Sequence, residues 1–564
     1  MVYFKSMRIT YTILGLVLWA VSINAQDIPA EPPKLVVGLI VDQMRFDFLE
    51  RYQEHFGEGG FKRLMREGYS FENTHYNYVP TVTAAGHASI YTGVTPSVHG
   101  VIENSWYERE SKRMVSNVGD TTVRIVGSVV EGAYGYSPAR LITRTISDQL
   151  RQESNSKAKV ISVSLKDRGA ILPGGHNANA AYWNDWESSP GHFVSSSYYM
   201  EELPSWVVNF NKKERAEKYL GRTWKTLLPL DEYTASAPDD NPHERVLRGK
   251  ETPTFPYDLK AMRELYNGDP SYYQVLWVTP FGNTLTREFA VQALKAEDLG
   301  ADAVTDMLCV SFSTPDVAGH TFGPQSVEVQ DIYLRLDREI ETMLNTLDKE
   351  VGEGEYVVFL TSDHGVQPVV SYQVARNESA GLAVIPKFNQ DLNFKLAQTY
   401  GALEWIAYFG LNQIYLDHDL IEEKKLSLTE VRRSVADFMK EQPGVRFALT
   451  PEDLLSSEDS SGLVDMVKNG YFPDRSGDVM LVYEYGVMPT SDFRTPISKV
   501  QGAGHGSGYD YDTHVPLLWF GHGIPRGVSA RKVHPVDIAP TLARILKLKG
   551  PEEMTGTPLS EVLE

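Results

Sequence analysis

Five short apolar segments, separated by helical patterns, constrain the fold of this chain more than any other feature of its sequence. They span residues 35–41, 159–164, 307–312, 356–360 and 515–520. The first is almost entirely Val, Leu and Ile, as expected for a strand that is buried on both faces. Between the third and fourth, apolar residues from Val329 to Leu347 recur at three- and four-residue steps, which predicts an amphipathic helix. The alternation predicts an α/β domain with a largely parallel sheet.

The predicted domain organisation is one α/β domain over residues 35–564, preceded by an export signal. Residues around 170–280 and 370–500 are less regular and rich in Tyr, Trp, Pro and Asn. They are interpreted as insertions that cap one end of the sheet.

The N-terminus is typical of a secretory signal peptide over residues 1–25. Lys5 and Arg8 precede an apolar run at 9–23, which is shorter than the roughly 20 residues that a spanning helix requires. The prolines of the following segment, 26–34, predict an extended linker. We therefore expect export, a periplasmic location and no stable membrane insertion after cleavage, with a retained anchor as the alternative.

Composition limits the chemistry that the chain can perform. The 564 residues carry a formal net charge of -20, which disfavours nucleic acid and anionic membranes as partners. An anionic substrate would need strong local positive charge, which metal ions can supply. Cys309 is the single cysteine, so neither an internal disulfide nor a thiolate metal cage is possible. Cys309 lies in an apolar run and is interpreted as a buried core residue.

Aspartate and histidine side chains follow three of the predicted strands. Asp42 follows the first, Asp316 and His320 follow the third, and Asp363 and His364 follow the fourth. Ligands of open α/β sheets bind beyond the carboxyl ends of the strands, so these side chains could converge on one site.

A sixth candidate, His505, lies in the glycine-rich segment 502–508. Six oxygen and nitrogen ligands exceed the needs of one zinc ion with an open position, and they fit two metal ions with three ligands each. Each residue alone has a simpler interpretation, because an Asp after a strand usually caps a helix or forms a turn. The coincidence of several such residues favours a metal site.

The motifs that carry these residues resemble those of the alkaline phosphatase superfamily, most closely the periplasmic, phosphate-irrepressible PafA type of Bacteroidota. They are Val-Asp-Gln-Met-Arg at 41–45, Tyr-Val-Pro-Thr-Val-Thr-Ala-Ala-Gly-His at 78–87, Thr-Pro-Asp-Val-Ala-Gly-His at 314–320, Ser-Asp-His-Gly at 362–365 and Gly-Ala-Gly-His-Gly at 502–506. The resemblance extends from about residue 34 to the end. It implies a three-layer α/β/α sandwich with a largely parallel central sheet and inserted capping segments.

The resemblance also implies a role for each matched residue. Thr83 matches a nucleophile that is also a metal ligand. Two Zn²⁺ ions are implied, one bound by Asp42, Asp363 and His364, and the other, which faces the leaving group, bound by Asp316, His320 and His505. Asn104, Lys166 and Arg168 match residues that contact the phosphate.

Charge matching favours phosphate monoesters as small-molecule substrates. Two zinc ions offset three aspartates and a Thr83 alkoxide, which leaves Lys166 and Arg168 to match the two charges of a monoester. The expected activity is a broad-specificity alkaline phosphatase that scavenges phosphate through a phosphothreonine intermediate. Without the resemblance, the segment around Lys166 and Arg168 would be interpreted as a solvated turn.

Three alternatives remain beside the monoesterase. A phosphodiesterase or nucleotide pyrophosphatase of the same superfamily would share the metal ligands and differ at Lys166 and Arg168. An arylsulfatase requires a Cys or Ser in a motif that is absent around Cys309 and Thr83, and a non-catalytic binding protein should have lost ligands. His87 is left open between a site contact and a packing role, and His320 is preferred over His75 and His176 as a ligand. A monomer is expected.

Overall fold

The structure is a computed structural model that describes residues 31–130, 132–456, 462–492 and 494–563. The expected signal peptide and the first part of the expected linker lie outside these residues. Within the described ranges, no helix is long and apolar enough to cross a membrane.

The strands of the described residues are numbered in chain order. They are β1 (Leu35–Val41), β2 (Tyr69–His75), β3 (Ser105–Glu108), β4 (Arg113–Ser116), β5 (Gly119–Val126), β6 (Tyr134–Tyr136), β7 (Val160–Ser164), β8 (Ala180–Asp185), β9 (His192–Ser196), β10 (Thr223–Trp224), β11 (Tyr257–Asp258), β12 (Asp306–Phe312), β13 (Tyr356–Thr361), β14 (Gly381–Val384), β15 (Ile406–Phe409), β16 (Gln413–Leu416), β17 (Val445–Leu449), β18 (Val479–Tyr483), β19 (Val487–Thr490), β20 (His514–Gly521) and β21 (Gly527–Ser529).

The α-helices lie between these strands. Those of eight or more residues are Thr83–Thr92, Ile146–Glu153, Asp167–Gly174, Phe281–Ala296, Thr314–Phe322, Val327–Leu347, Ile385–Tyr400, Leu428–Lys440, Leu463–Gly470 and Ile538–Ile545. The shorter ones are Asp47–Arg51, Phe61–Glu67, Pro96–His99, Ser205–Asn211, Arg215–Leu220, Leu259–Glu264, Gln274–Val278, Val370–Ala375, His418–Glu423, Pro451–Ser456 and Asp510–Thr513.

One large sheet organises the molecule, with the strand order β21-β2-β20-β13-β1-β12-β7-β8-β9-β5-β6. Its centre, from β13 to β8, is entirely parallel. Antiparallel pairings of β20 with β13 and of β9 with β8 begin the two flanks. All five apolar segments of the sequence are strands of this sheet, which confirms the prediction of a large sheet with a parallel core.

Helices cover both faces of the sheet, because successive side chains of a strand point to opposite faces. Leu35, Val37 and Leu39 of β1 share one hydrophobic core with the helices Phe281–Ala296 and Val327–Leu347. Val36 and Ile40 belong to a second core, which includes residues of the helices Thr83–Thr92 and Ile538–Ile545. The sheet is therefore the middle of three layers, as the resemblance implies. Cys309 is buried in the second core.

The segment 170–280 does not lie wholly outside the sheet. Residues 180–185 and 192–196 form β8 and β9, which continue the central sheet beyond β7. Their mixture of aromatic, polar and small residues lacks the continuous aliphatic run by which the other strands were recognised. The remainder of the segment carries short helices and the two-stranded pair β10–β11.

The segment 370–500 builds a smaller unit with its own sheet and core. The sheet has the order β15-β16-β18-β17. The helices Ile385–Tyr400 and Leu428–Lys440 pack on it, and Leu392, Val435 and Ile414 are fully buried in this separate core. We refer to residues 370–500 as the cap unit.

Candidate active site

Three aspartates meet at one edge of the central sheet because β12, β1 and β13 are parallel neighbours. Asp42 directly follows β1, Asp363 follows β13 by two residues, and Asp316 lies in the first turn of the helix that follows β12. All three are buried. Asp42 and Asp363 are more than 300 residues apart in the sequence. The register of the sheet nevertheless brings their carboxylates to one place.

Thr83 begins the helix Thr83–Thr92, which points its N-terminus at this cluster. The Thr83 side chain is buried, and its Oγ lies 3.5 Å from Nε2 of His364 and 3.5 Å from Nζ of Lys166. A helix N-terminus favours negative charge, so this position suits both an alkoxide and a phosphate.

Gly86 lets the same helix pack directly against the main chain of Asp363. A Cβ at Gly86 would lie 2.3 Å from the carbonyl oxygen of Asp363, closer than atoms approach. The nucleophile candidate and the aspartate are therefore held together by a main-chain contact that only glycine permits.

Three histidines present the same ring nitrogen to the cluster. In each, Nδ1–H donates to a main-chain carbonyl: His364 to Gly365 at 2.9 Å, His320 to Ala503 at 2.8 Å, and His505 to Thr81 at 2.8 Å. This hydrogen bond fixes the tautomer, so that Nε2 carries a lone pair. Metal-binding histidines are usually oriented by such a hydrogen bond from the ring nitrogen that does not bind the ion.

The ligand atoms form two groups that could each hold a metal ion. One group is Asp316, His320 and His505, and the other is Asp42, Asp316 and His364, with the atoms of each group within 4.8 Å of one another. The first equals the set that the resemblance implies. In the second, Asp316 stands where Asp363 was expected, although Oδ2 of Asp363 lies 3.7 Å from Nε2 of His364.

The donor atoms fit metal ions on two further counts. Oδ1 of Asp42 and Oδ2 of Asp363 are buried and accept no hydrogen bond from any described residue. A buried carboxylate oxygen without a donor is costly unless a cation neutralises it. Carboxylate and imidazole ligands together suit zinc or a similar divalent ion.

The electrostatics of the aspartates also indicate a need for positive charge. Burial, together with the neighbouring Asp363, raises the pKa of Asp42 well above its usual value. Burial acts in the same direction on Asp316, but His320 and Lys166 outweigh it and hold the pKa of Asp316 well below its usual value. The three aspartates can therefore all be ionised only where cations lie next to them.

Lys166 lies deeper in the cluster than a residue that contacts only substrate would. Its Nζ donates to Oδ2 of Asp42 at 2.7 Å and to Oδ2 of Asp316 at 2.6 Å. Its neighbour Arg168, at the start of the helix Asp167–Gly174, is partly buried, and its Nε has no partner among the described residues. Lys166 therefore lies against two of the aspartates, whereas Nη1 of Arg168 lies 3.5 Å from Asp167. The roles of both cations as phosphate contacts stay predictions.

Asn104 lies beside the start of the helix Thr83–Thr92. Its Oδ1 accepts a hydrogen bond from the main-chain N–H of Ala84 at 3.0 Å. The amide NH₂ is therefore the group that remains to donate to a bound anion. Asn104 thus lies next to Thr83, and its role as a phosphate contact stays a prediction.

Gln43 and His87 support the carboxylates, and the sequence singled out only the second. Gln43 has a left-handed backbone, with φ of 68°, and donates from its main-chain N to Asp363 at 3.1 Å and from Nε2 to Asp316 at 2.7 Å. His87 donates from Nδ1 to the carbonyl of Thr83 at 2.9 Å, and the same atom lies 3.3 Å from Oδ2 of Asp363. No sequence signal marks Gln43, because its role depends on its backbone conformation.

The loop that carries His505 is held by Asp512, which the sequence did not single out either. Both the main-chain N–H and the hydroxyl of Ser507 donate to Oδ2 of Asp512, at 2.8 and 2.6 Å. The carbonyl of Ser507 in turn accepts from the hydroxyl of Thr81 at 2.9 Å. The main-chain carbonyl of Asp512 also accepts from the N–H of Gly365, next to His364. Asp512 thus joins the loops of two candidate ligands.

His75 and His176 lie in neither metal group. His75 stacks on His514, with ring centroids 4.4 Å apart, and burial with His514 lowers its pKa to about 4. His176 lies against Asp148, 3.2 Å away, and the carbonyl of Leu141. The preference for His320 as the ligand agrees with this placement.

A cavity of about 430 Å³ opens from the cluster. Asn104, His320 and His505 form its inner end. Its other walls come mainly from residues 79–82, the β3–β4 hairpin, the cap unit and the segment 504–512. The cavity therefore borders two of the candidate metal ligands, while Thr83 is not among its lining residues.

Comparison with known proteins identifies relatives along nearly the whole chain. A family model described as type I phosphodiesterase / nucleotide pyrophosphatase matches residues 36–510. Alkaline phosphatase PafA of Elizabethkingia meningoseptica is 42% identical over 553 residues, which cover 98% of each chain. The crystal structure of wild-type PafA matches with a TM-score of 0.89, 41% identity and coverage of 95% of this chain and all of that one.

Two further relatives have the same identity to this chain. A protein of Myroides odoratus named calcium-transporting ATPase is 40% identical over 537 residues, or 95% of each chain. Alkaline phosphatase PhoV of Synechococcus elongatus is 40% identical over 539 residues, or 94% of this chain and 93% of the relative.

Proposed function

Since the chain belongs to the type I phosphodiesterase / nucleotide pyrophosphatase family of the alkaline phosphatase superfamily, we propose that it is an alkaline phosphatase that hydrolyses phosphate monoesters. Thr83 is the nucleophile, and two zinc ions are the cofactors. The observation that carries the proposal is the position of the Thr83 hydroxyl, at a helix N-terminus and beside two groups of Asp and His ligands.

The relatives support this activity over the others. PafA and PhoV are both named alkaline phosphatases, and each is at least 40% identical to this chain over more than nine-tenths of it. The Myroides odoratus relative carries a different activity in its name. A buried hydroxyl between metal-binding groups supports hydrolysis of a phosphate ester rather than ion transport.

Six side chains would hold the two ions. Asp42, Asp363 and His364 would bind the one next to Thr83, and Asp316, His320 and His505 the other. Bound zinc would lower the pKa of a neighbouring hydroxyl and offset charge on the departing oxygen.

Thr83 Oγ attacks the phosphorus atom, and the bond between phosphorus and the alcohol oxygen breaks. The alcohol leaves with a proton, and the phosphoryl group stays on Thr83 as phosphothreonine. Water then hydrolyses this ester, which releases phosphate and restores the hydroxyl. The helix N-terminus and the amide of Asn104 stabilise the charge of the phosphoryl oxygens throughout.

Lys166 and Arg168 favour monoesters over diesters. A monoester dianion presents two charges to these two cations, whereas a diester presents one charge and a second bulky group. The partnerless Nε of Arg168 supports this role, because a buried guanidinium nitrogen without an acceptor gains most from a bound oxyanion. The alternative, a phosphodiesterase of the same family, would use the pair less.

Three substrates separate the monoesterase from its alternatives. Purified protein with zinc is assayed on p-nitrophenyl phosphate, bis-p-nitrophenyl phosphate and p-nitrophenyl sulfate. We expect the highest kcat/KM on the monoester. A higher kcat/KM on the diester would contradict the proposal and indicate a phosphodiesterase. A higher kcat/KM on the sulfate would contradict it and indicate a sulfatase.

The biological setting remains part of the proposal. A signal peptide at 1–25 would deliver the protein to the periplasm, where a broad-specificity phosphatase would release phosphate from small organic esters. Fractionation of the producing cells and N-terminal sequencing of the mature protein test both points. Gel filtration with light scattering tests the expected monomer.

A further inference from the structure

The cavity that opens from the active site has an apolar and aromatic wall. Six aromatic side chains line it: Trp106, Tyr408, Tyr415, Tyr471, Tyr483 and Tyr509. Its volume of about 430 Å³ falls within the roughly 300–1,000 Å³ of small-molecule sites. A phosphate group alone would not need such a space.

Two large apolar side chains of this wall are exposed to solvent. Leu411, at the tip of the β15–β16 hairpin of the cap unit, is 50% exposed, and Met114 of β4 is 41% exposed. They face the cavity from different units of the chain. Because apolar surface in water is unfavourable, a ligand that covers both side chains gains free energy.

The charged groups of the wall all have the same sign. Glu103, Glu484 and Asp512 line the cavity, and no Lys or Arg is among the described residues that line it. The cations of the site, Lys166 and Arg168, are not part of this wall. Glu484 pairs with Arg446 at 3.5 Å, whereas Glu103 and Asp512 have no ion-pair partner among the described residues. A second anionic group on a ligand would therefore meet these two carboxylates without a compensating cation in the wall.

The inner end of the cavity fixes which part of a substrate enters it. His320 and His505 belong to the metal group that is assigned to the leaving-group side, and both line the cavity. An ester whose phosphorus lies at Thr83 and whose alcohol oxygen points to this group extends into the cavity. This step rests on the proposed function.

We propose that the cavity binds the alcohol part of the phosphate monoester and selects esters of uncharged aromatic alcohols over esters whose alcohol part carries a second anionic group. Planar rings stack on the tyrosines and cover Leu411 and Met114. The carboxylates of the wall repel an added sulfonate or carboxylate.

The zinc-loaded enzyme tests this selection with three esters: 2-naphthyl phosphate, 6-sulfo-2-naphthyl phosphate and β-glycerol phosphate. The two naphthyl esters have the same ring system and the same leaving oxygen. They differ in the negative charge of the sulfonate group. We expect kcat/KM for the uncharged naphthyl ester to exceed that for its sulfonate by about tenfold or more. Equal values would overturn the charge selection.

Variants of the wall test the apolar contact. Leu411→Ala and Met114→Ala should each raise KM for 2-naphthyl phosphate by roughly three- to tenfold, and should raise KM for the smaller, polar β-glycerol phosphate much less. Leu403→Ala is the matched control, because Leu403 is 42% exposed in the same cap unit and does not line the cavity. Unchanged KM in both wall variants, or the same change in the control, would overturn the proposal.

A binding measurement separates failure of this proposal from failure of the proposed function. Calorimetric titration with 2-naphthylphosphonate and methylphosphonate requires no turnover. We expect tighter binding of the naphthyl compound by wild type, and loss of that advantage in Leu411→Ala. If the protein hydrolyses none of the esters but keeps this difference, the function fails and the cavity assignment stands. If it hydrolyses monoesters but binds both phosphonates alike, the cavity assignment fails.

Discussion

The imidazole of His505 stacks on the imidazole of His364, with ring centroids 3.6 Å apart and an angle of 14° between the planes. The two residues are assigned to different metal ions, so the two sites share a wall. Each ring limits the positions that the other can take. Removal of one ring should therefore affect both sites.

We expect His505→Ala to lose one zinc ion and to bind the other more weakly. The lost ligand empties its own site, and the freed space beside His364 lets that ring turn away from its ion. Zinc content measured after dialysis against buffers of decreasing free zinc checks this. Two sites with unchanged affinity would show that the stacking has no such effect.

Thr83→Ala should reduce kcat for p-nitrophenyl phosphate by about a thousandfold or more, because no other described hydroxyl occupies the helix start. Zinc content should persist, since the six Asp and His ligands remain. Thr83→Ser is the matched control, because it keeps a hydroxyl and should retain much of the rate. Full activity in Thr83→Ala would remove this residue as the nucleophile.

Lys166→Ala and Arg168→Ala should lower kcat/KM for the monoester by about 10- to 100-fold more than for the diester, as expected for charged hydrogen bonds. The comparison uses p-nitrophenyl phosphate and its bis ester. Lys166 also contacts Asp42 and Asp316, so zinc content must be measured alongside. Equal losses on both substrates at unchanged zinc content would refute the charge-matching argument.

Asp512→Ala should weaken zinc binding at the His505 site by roughly 10- to 100-fold, because the loop loses the acceptor that holds Ser507. The readout is the zinc concentration for half-maximal activity. Asp510→Ala is the control, because Asp510 lies in the same short helix and its side chain is 91% exposed. A similar change in the control would assign the effect to the helix rather than to the Ser507 contact.

Glu244→Gln should stabilise the protein at alkaline pH. Burial, with Glu328 beside it, raises the pKa of Glu244 above the ordinary value of 4.5. The folded state then holds a proton that the unfolded state has released, so stability falls as pH rises above that value, and glutamine removes this loss. The Tm difference between variant and wild type should grow from about pH 5 to about pH 9. Exposed Glu251→Gln, as control, should show no such trend.

The strands and ligands that follow directly from local sequence were predictable. β1, β12 and β13 are largely apolar runs, Asp42 comes directly after β1, and Asp363 comes two residues after β13. Parallel neighbours then place these side chains together without any further information. The assignment of Thr83, Asn104 and Arg168 came from motif resemblance, because nothing local distinguishes them.

The supporting residues could not be predicted because their roles arise from contacts distant in sequence. Gln43 is defined by a left-handed backbone and by hydrogen bonds to residues about 270 and 320 positions away. β8 and β9 were missed because their aromatic and polar residues do not form an apolar run. Residues 370–500 are predicted as a capping insertion, but the internal structure of the cap unit is not, since most of its strands are short and several pair across long loops.

At Gly86, the helix Thr83–Thr92 contacts the main chain of Asp363. This contact limits the distance between Thr83 and that backbone segment. Ile90 and Tyr91 of the same helix pack in the second core, where neighbouring side chains can repack around a substitution. A side chain at position 86, by contrast, would push the whole helix away from Asp363. We therefore expect position 86 to be glycine in every relative that keeps a nucleophile at position 83. A relative that lacks this glycine should have lost the activity.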